Sequence, residues 1–227
     1  MAGESAGSRV ARGLRDRLLT GALPPGAVLS QSDIAVEYGV SRIPVRDALH
    51  LLAGEGLVDL GVSSAVIAGL SIPELQELYE LRGAVEPVVT AIAVSNVGRA
   101  EVTKMAALSL VMESDRTTTT EWLDAHARFH ALIYCRADRP RMVTLTEQLR
   151  RLTDRYLYLH LDVIGDVEHL HVEHRQILAA VRKSDPGEVA ELTRLHLETS
   201  HDFILRHLLS TPECHGRTTA KVGIEGY

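Results

Sequence analysis

Residues 30–53 most constrain the fold, because only two residues separate two helix-forming segments there. In "SQSDIAVEYG", Ser30 is a suitable helix N-cap and Gly39 suits the left-handed position at the helix end. The next segment begins with Ser41 as N-cap and Pro44 in the first turn, where a missing N–H is harmless. Its apolar stripe consists of Val45, Leu49, Leu52 and Ala53. This spacing predicts a helix-turn-helix.

The flanking segments extend this unit. "SRVARGLRDRLLT" (8–20) has apolar residues at helical spacing and ends before Gly21 and "PPG". After the helix-turn-helix, the β-prone runs "LVDL" and "AVIAG" surround "GVSS", which predicts a small β-hairpin wing. Residues 1–69 are therefore predicted to form a winged helix-turn-helix domain.

From Ser71 onwards the chain has only helix signals. "SIPE" resembles a capping box, Thr120 is a candidate cap, and "SDPGE" starts the last helix. The predicted helices are 72–94, 99–112, 121–136, 140–161, 167–183 and 186–209. The fold class is thus mainly α: a winged helix-turn-helix followed by an all-α antiparallel bundle over 70–209. Residues 210–227 lack periodicity and are predicted to be a flexible tail.

The charge distribution limits how such a chain can bind DNA. The formal net charge is −6, and the first 68 residues hold six arginines, no lysine and seven acids, a net charge of −1. Any DNA contact must therefore come from locally placed arginines rather than from a broadly basic surface. Two cysteines, no secretory signal and no long apolar run favour a cytoplasmic protein without a membrane span.

Histidines on the predicted bundle helices form the second notable pattern. His126 and His130 lie four residues apart on an apolar face, and His174 and His196 each interrupt an apolar stripe of another helix. Burying four unpaired imidazoles is costly, whereas one divalent metal such as zinc, nickel or copper satisfies four nitrogens. His160 is a weaker candidate. The remaining bundle histidines are predicted to face solvent: His169, His171, His201 and His207.

Residues 23–58, "LPPGAVLSQSDIAVEYGVSRIPVRDALHLLAGEGLV", resemble the DNA-binding module of GntR-type bacterial transcription regulators. The resemblance rests on "GVSRIPVRDAL" and "EGLV". It implies that Arg42 and Arg46 read DNA at the tip of the recognition helix, with Ser41 and Ser30 as phosphate contacts. The "LGVSSAV" wing has no basic residue, unlike many family wings, so a wing contact to the minor groove is not expected.

The second domain resembles the smaller, six-helix FCD ligand domain of the FadR subfamily. That resemblance implies a metal site at His130, His174 and His196, with His126 at a position where the family has aspartate. Four imidazoles favour zinc, with nickel as the second choice. The resemblance also implies that Arg82 faces the effector pocket. A simple intrahelical ion pair between Arg82 and Glu86 is an equal alternative.

The resulting hypothesis is a transcription regulator and repressor, acting as a homodimer on a pseudo-palindromic operator. A small carboxylate effector bound with the metal in the helical domain would control its affinity for DNA. Two alternatives remain: a metal-independent regulator that binds a larger acyl ligand, and a metal-dependent enzyme. The enzyme is disfavoured because no nucleophile–base pair accompanies the histidines.

Overall fold

Three helices and three short strands form the first part of the chain in the computed structural model, which describes residues 5–19, 22–164 and 168–210. In chain order they are α1 (Ala6–Leu19), β1 (Val28–Ser30), α2 (Gln31–Tyr38), α3 (Arg42–Gly54), β2 (Val58–Leu60) and β3 (Ser64–Ile67). Helices α2 and α3 are the predicted helix-turn-helix, and α1 packs across α3. The predicted winged helix-turn-helix architecture is therefore confirmed.

The turn between α2 and α3 has the predicted local chemistry. Ser30 caps α2, its Oγ accepting from the Asp33 N–H at 3.4 Å. Gly39 adopts φ 62°, a left-handed conformation that costs glycine little. The chain therefore reverses within a few residues, and α3 packs its apolar stripe under α1. This core includes Val10, Leu14, Val45, Leu49 and Leu52, all fully buried.

The wing differs from the predicted two-stranded hairpin. Strand β3 is central and pairs antiparallel with β2 on one side and β1 on the other, so the sheet has three strands. Val28 of β1 lies opposite Val66, and the Ile67 N–H donates to Ala27 O at 3.0 Å. A three-residue strand directly before a helix cap is too short to show an alternating pattern, so sequence periodicity could not detect it.

The second part of the chain is a bundle of six helices among the described residues. They are α4 (Ile72–Val94), α5 (Arg99–Met112), α6 (Thr119–Tyr134), α7 (Pro140–Ile164), α8 (Glu168–Lys183) and α9 (Pro186–Ser210). Helix α4 packs along α9, α5 packs against α6 and α8, and α6 packs against α7. The mainly α fold class is confirmed. No helix in the described ranges combines the length and apolarity needed to cross a bilayer.

Two helix boundaries correct the sequence prediction. Helix α6 is capped by Thr118 rather than Thr120, because only Thr118 has a glutamate at the third helical position. The Glu121 N–H donates to Thr118 Oγ1, and the Thr118 N–H donates back to the Glu121 carboxylate. At the other end of the bundle, Ser210 is the last residue of α9 instead of the first residue of a tail. Residues 211–227 lie outside the described part of the chain.

A polar contact joins the bundle to the end of the helix-turn-helix. Arg155 of α7 donates from Nη1 to the Gly56 carbonyl at 2.7 Å and forms an ion pair with Glu74 of α4. Gly56 has φ 65°, and a Cβ there would lie 2.6 Å from a methyl carbon of Leu152. The backbone immediately after α3 is therefore held directly against α7.

Candidate functional site

Four histidines from three helices meet in the core of the bundle. His126 and His130 come from α6, His174 from α8 and His196 from α9. Each is at most 3% exposed. One ring nitrogen of each lies within 4.8 Å of the others, and no other such group is found among the described residues. Helical packing thus brings together residues that lie as far as 70 positions apart in the sequence.

Hydrogen bonds orient two of these rings. His174 Nδ1–H donates to Leu170 O at 2.7 Å, and His196 Nδ1–H donates to the Glu173 carboxylate at 2.6 Å. Because a carbonyl and a carboxylate only accept, these bonds place the proton on Nδ1 and leave the Nε2 lone pair free. His174 Nε2 lies 3.2 Å from His130 Nε2. His174 and His196 therefore each keep an unprotonated Nε2. Glu173 was not predicted from the sequence.

The electrostatics of the cluster favour neutral imidazoles. Burial lowers the pKa of His126, His130 and His174 well below the ordinary value, and the neighbouring histidines lower it further. Neutral imidazole is the form that binds a metal. The nitrogens that bind one tetrahedral zinc ion lie roughly 3.4 Å apart. This separation is smaller than the 4.8 Å within which the four histidine nitrogens lie. His126 Nδ1 is buried without a hydrogen-bond partner. The donor set therefore fits one divalent ion of the zinc or nickel type.

Arg82 lies in a buried polar network next to the cluster. Its guanidinium donates to both Glu86 carboxylate oxygens, the shorter contact being 2.6 Å, and Nη1 donates to Thr153 Oγ1 at 3.0 Å. Tyr134 donates to the same carboxylate at 2.7 Å, and its ring stacks on His130. Burial, with the Glu86 charge, raises the pKa of Tyr134 well above its usual range. The Arg82–Glu86 ion pair is thus formed, and it lies on the histidine side of α4.

Helix α7 contributes inward-facing polar residues that sequence reasoning missed. Thr146, Arg150 and Thr153 are buried at helical spacing on one face of α7. Arg150 donates to both Asp154 oxygens at 3.0 Å, and its charge contributes to lowering the pKa of His126. The spacing of 3 and 4 residues was a readable signal. The prediction missed these polar residues because the same helix also carries an apolar stripe that includes Leu149 and Tyr156.

The second set of predicted site residues lies at the start of α3. Arg42, Arg46 and Ser41 are exposed, and Ser41 is the N-cap residue without a side-chain capping bond. Its hydroxyl is therefore not committed to the helix end. Ser30 lies at the start of α2 and is half-buried, with its Oγ engaged in the α2 cap. The structure thus groups three of the four predicted DNA-binding residues on one helix tip.

The two arginines of α3 differ from Arg15 and Arg17 of α1. Arg15 forms a two-point ion pair with Glu55, and Arg17 pairs with Glu37 at 2.7 Å. Arg42 and Arg46 make no ion pair with any residue that the structure describes. Exposed guanidinium groups at a helix N-terminus are well placed for an anionic or guanine-containing partner.

The other bundle histidines do not face solvent as predicted. His171 is buried, while His169, His201 and His207 are half-buried. His169 of α8 stacks on Phe203 of α9, and His201 of α9 lies against Tyr79 of α4, so neighbouring helices cover these two residues. The side chain of His160 lies outside the described residues.

Two family descriptions match this chain. Residues 6–66 match "Bacterial regulatory proteins, gntR family", and residues 77–199 match "FCD domain". The first range contains the helix-turn-helix and wing. The second range contains all four clustered histidines and Arg82.

Individual relatives agree with these matches. The gluconate operon transcriptional repressor of Bacillus licheniformis is 28% identical over 192 residues, covering 80% of this chain and 77% of the relative. The HTH-type transcriptional repressor GlaR of Escherichia coli is 28% identical over 199 residues, covering 83% of this chain and 90% of the relative. The solved structure of E. coli McbR/YncC has a TM-score of 0.77 at 21% identity, covering 90% of this chain and 99% of the solved chain. This likeness supports the fold alone.

Proposed function

We propose that this chain, which belongs to the gntR family of bacterial regulatory proteins and carries an FCD domain, represses transcription by binding operator DNA. Two relatives similar over most of its length are named transcriptional repressors, which supports repression over activation. They are not enzymes, and this chain is likewise a regulator and not an enzyme. We assign residues 1–69 to DNA binding and 70–209 to effector binding and dimerisation.

The observation that carries the DNA-binding proposal is the pair Arg42 and Arg46. Both are exposed at the start of α3 without an ion-pair partner among the described residues. An arginine fork can donate to guanine O6 and N7 together in the major groove. The domain as a whole is nearly neutral, so these two side chains would supply an unusually large share of the attraction.

Repressors of this architecture read two half-sites through two-fold symmetry, and we propose the same for this chain. A homodimer would place its two α3 helices in major grooves that are separated by one helical turn of DNA or a whole multiple of it. The operator would therefore be pseudo-palindromic, and the spacing between half-sites would report the separation of the two α3 helices in the DNA-bound dimer.

We propose that the histidine cluster holds a divalent metal, zinc first and nickel second. His126, His130, His174 and His196 would be the ligands, and Glu173 would orient His196. Such an ion would supply positive charge that four neutral imidazoles do not cancel, which favours an anionic effector. Arg82, next to the cluster, would assist in holding a small carboxylate, although Glu86 already neutralises it.

The effector would act by preferring one arrangement of the dimer over another. Helix α7 is the element that lies against both sites: Thr153 and Arg150 border the buried network, and Arg155 holds the backbone after α3. A displacement of α7 would move the recognition helix relative to the bundle. Because two α3 helices must match one operator spacing, a small displacement is sufficient to weaken the DNA complex.

The experiment begins with the full-length protein and a random-sequence duplex library. Repeated selection should recover a pseudo-palindromic operator, and a gel-shift titration should show binding to it that is stronger than to unrelated DNA. Recovery of no preferred sequence would overturn the DNA-binding proposal. Elemental analysis of the same preparation should find zinc or nickel near stoichiometric amounts. A metal content below about a tenth of an equivalent would favour the metal-independent alternative.

A further inference from the structure

An isoleucine lies exposed between the two arginines at the start of α3. Ile43 is the second residue of this helix and is 74% exposed. The buried side of α3 is formed by Val45, Ala48, Leu49 and Leu52. Ile43 lies on the opposite side, which it shares with the exposed residues Arg46 and His50 at helical spacing. An apolar side chain is therefore part of the face that α3 presents to solvent.

The fold of the domain does not account for this isoleucine. Among the described residues, the core of the helix-turn-helix includes Val40 and Val45 on either side of it, but not Ile43 itself. Isoleucine also has a lower helix propensity than alanine, glutamate or lysine, because its branched side chain loses rotamer freedom in a helix. Neither core packing nor helix formation thus favours isoleucine at this position.

We infer that Ile43 contacts the C5-methyl group of a pyrimidine in each operator half-site; the inference rests on the proposed DNA binding through Arg42 and Arg46. If those guanidinium groups reach base edges, Ile43 enters the major groove with them. An isoleucine opposite a polar base edge would leave a donor or acceptor without a partner. The C5-methyl group of thymine is the apolar group that an unmodified base pair presents there.

This contact would add specificity without adding charge. Arginines attract the phosphates of any DNA, and that attraction depends on salt but not on sequence. Asp47, one turn beyond Ile43, is exposed and lies beside the start of α1, where a Cβ on Gly7 would be 3.4 Å from Asp47 Cβ. The start of α3 is therefore only partly basic. An uncharged contact to one methyl group would distinguish thymine from cytosine at any salt concentration.

The test replaces single thymines with uracil in the operator selected with the full-length protein. This substitution removes the C5-methyl group and leaves base pairing unchanged. At one thymine of each half-site, uracil should weaken binding by about fourfold, the effect of exposing one buried carbon. Gel shifts at a fixed salt concentration measure the change.

Two bases can supply the methyl group, and a second series of duplexes separates them by introducing 5-methylcytosine at each cytosine in turn. A loss with uracil and no gain with 5-methylcytosine identifies thymine as the base that is read. A gain of about fourfold with 5-methylcytosine and no loss with uracil identifies the modified base. Affinities that change in neither series would overturn the inference.

Ile43→Ala connects the methyl effect to this side chain. Because Ile43 is exposed, the variant should keep the melting temperature of the unmodified protein. It should bind the operator about fourfold or more weakly and should no longer distinguish the base with the methyl group from the base without it. The slope of log affinity against log salt concentration should not change, since no charge is removed. Undiminished discrimination by the variant would contradict the proposal.

Leu51→Ala is the matched control. Leu51 is a further exposed apolar residue of α3 and lies about two turns beyond Ile43. This variant should keep the ratio of affinities for the duplexes with and without the methyl group. An equal loss of that ratio in both variants would indicate a general effect on α3 and would refute a specific contact by Ile43.

Failure of the proposed function gives a different result from failure of this inference. A selection that recovers no operator refutes the DNA-binding proposal and the Ile43 contact with it. An operator that depends on Arg46, but whose affinity changes with neither uracil nor 5-methylcytosine, refutes the Ile43 contact alone.

Discussion

The indole of Trp122 is stacked on the imidazole of His126, with ring centroids 4.9 Å apart and ring planes inclined by 16°. Trp122 is the only tryptophan of the chain. The same ring meets His174 edge-on with a centroid separation of 6.1 Å. Two of the four clustered histidines are therefore in direct contact with a single intrinsic fluorophore, and a change at the cluster can be detected without a label.

Metal binding should alter the emission of Trp122. Nickel added to chelator-treated protein is expected to quench the fluorescence, with saturation near one equivalent per chain, because one nitrogen of each of the four imidazoles lies within 4.8 Å of the others. His174→Asn should leave the Trp122–His126 stack intact but shift saturation to a higher nickel concentration. Quenching that rises linearly without saturation in the unmodified protein would indicate collisions instead of a site.

Glu173 should strengthen metal binding although it is not one of the four clustered residues. Its carboxylate accepts the His196 Nδ1 proton at 2.6 Å and so orients the ring and raises its basicity. Glu173→Gln is expected to weaken zinc binding by about 10- to 100-fold, the range found for such orienting groups. Competition with a chromophoric chelator measures the affinity. Glu191→Gln, on the exposed face of α9, should have no effect.

The metal-free protein should lose stability on mild acidification. Burial lowers the pKa of His126, His130 and His174 well below 6.5, so the unfolded chain binds protons that the folded chain does not. The three neutral imidazoles make their full contribution to the unfolding free energy above pH 6.5, the pKa of histidine in the unfolded chain. This contribution is lost as the pH falls below that value. Each such proton changes the unfolding free energy by up to about 1.4 kcal/mol per pH unit.

Urea unfolding of chelator-treated protein from about pH 7.5 to about pH 5 measures this dependence. His126→Phe removes one of the three groups. It should therefore reduce the slope of the unfolding free energy against pH by the contribution of about one proton. An unfolding free energy that stays constant over this interval would show that these imidazoles are accessible to protons in the folded protein. Arg82 and Arg150 add to the effect by disfavouring a charged His130.

Arg46 should contribute to sequence-specific binding far more than other exposed arginines. Arg46→Ala is expected to weaken operator binding by about 1–3 kcal/mol, or roughly 5- to 150-fold, while binding to unrelated DNA changes less. Gel shifts at a fixed salt concentration on both duplexes measure the difference. Arg182→Ala is the control, because Arg182 is exposed on α8, outside the recognition helix. Wild-type operator affinity for the Arg46 variant would refute the assigned role.

Arg155 should couple the bundle to the recognition helix. Arg155→Met removes the bond to the Gly56 carbonyl and the ion pair with Glu74. Hydrogen exchange around residues 55–58 should become faster, and the ratio of operator affinities with and without effector should decrease. Arg151→Met, which removes only a half-exposed pair with Glu147, should change neither quantity. An unchanged affinity ratio in the Arg155 variant would exclude this contact as the route of communication.

Local sequence signals were sufficient for most of the fold. Gly39, Ser30 and the "SIPE" and "SDPGE" starts determine their turns and caps through residues at most four positions away, so the elements could be predicted without tertiary information. The inward direction of the four histidines was also readable, because helical periodicity links each one to apolar neighbours on the same face. Strand β1 was missed because its local signal is only three residues long. The Thr118 cap was missed because adjacent threonines offer the same signal.

Contacts between distant elements required the tertiary structure. The sequence alone determined that His126, His130, His174 and His196 face a core, but helix packing decided that their nitrogens meet within 4.8 Å. In the same way, only packing decided that Glu173 orients His196, and that Arg155 reaches the backbone of Gly56. The physical reason is range: caps and periodicity act within one or two turns, whereas these contacts depend on how whole helices are positioned against one another.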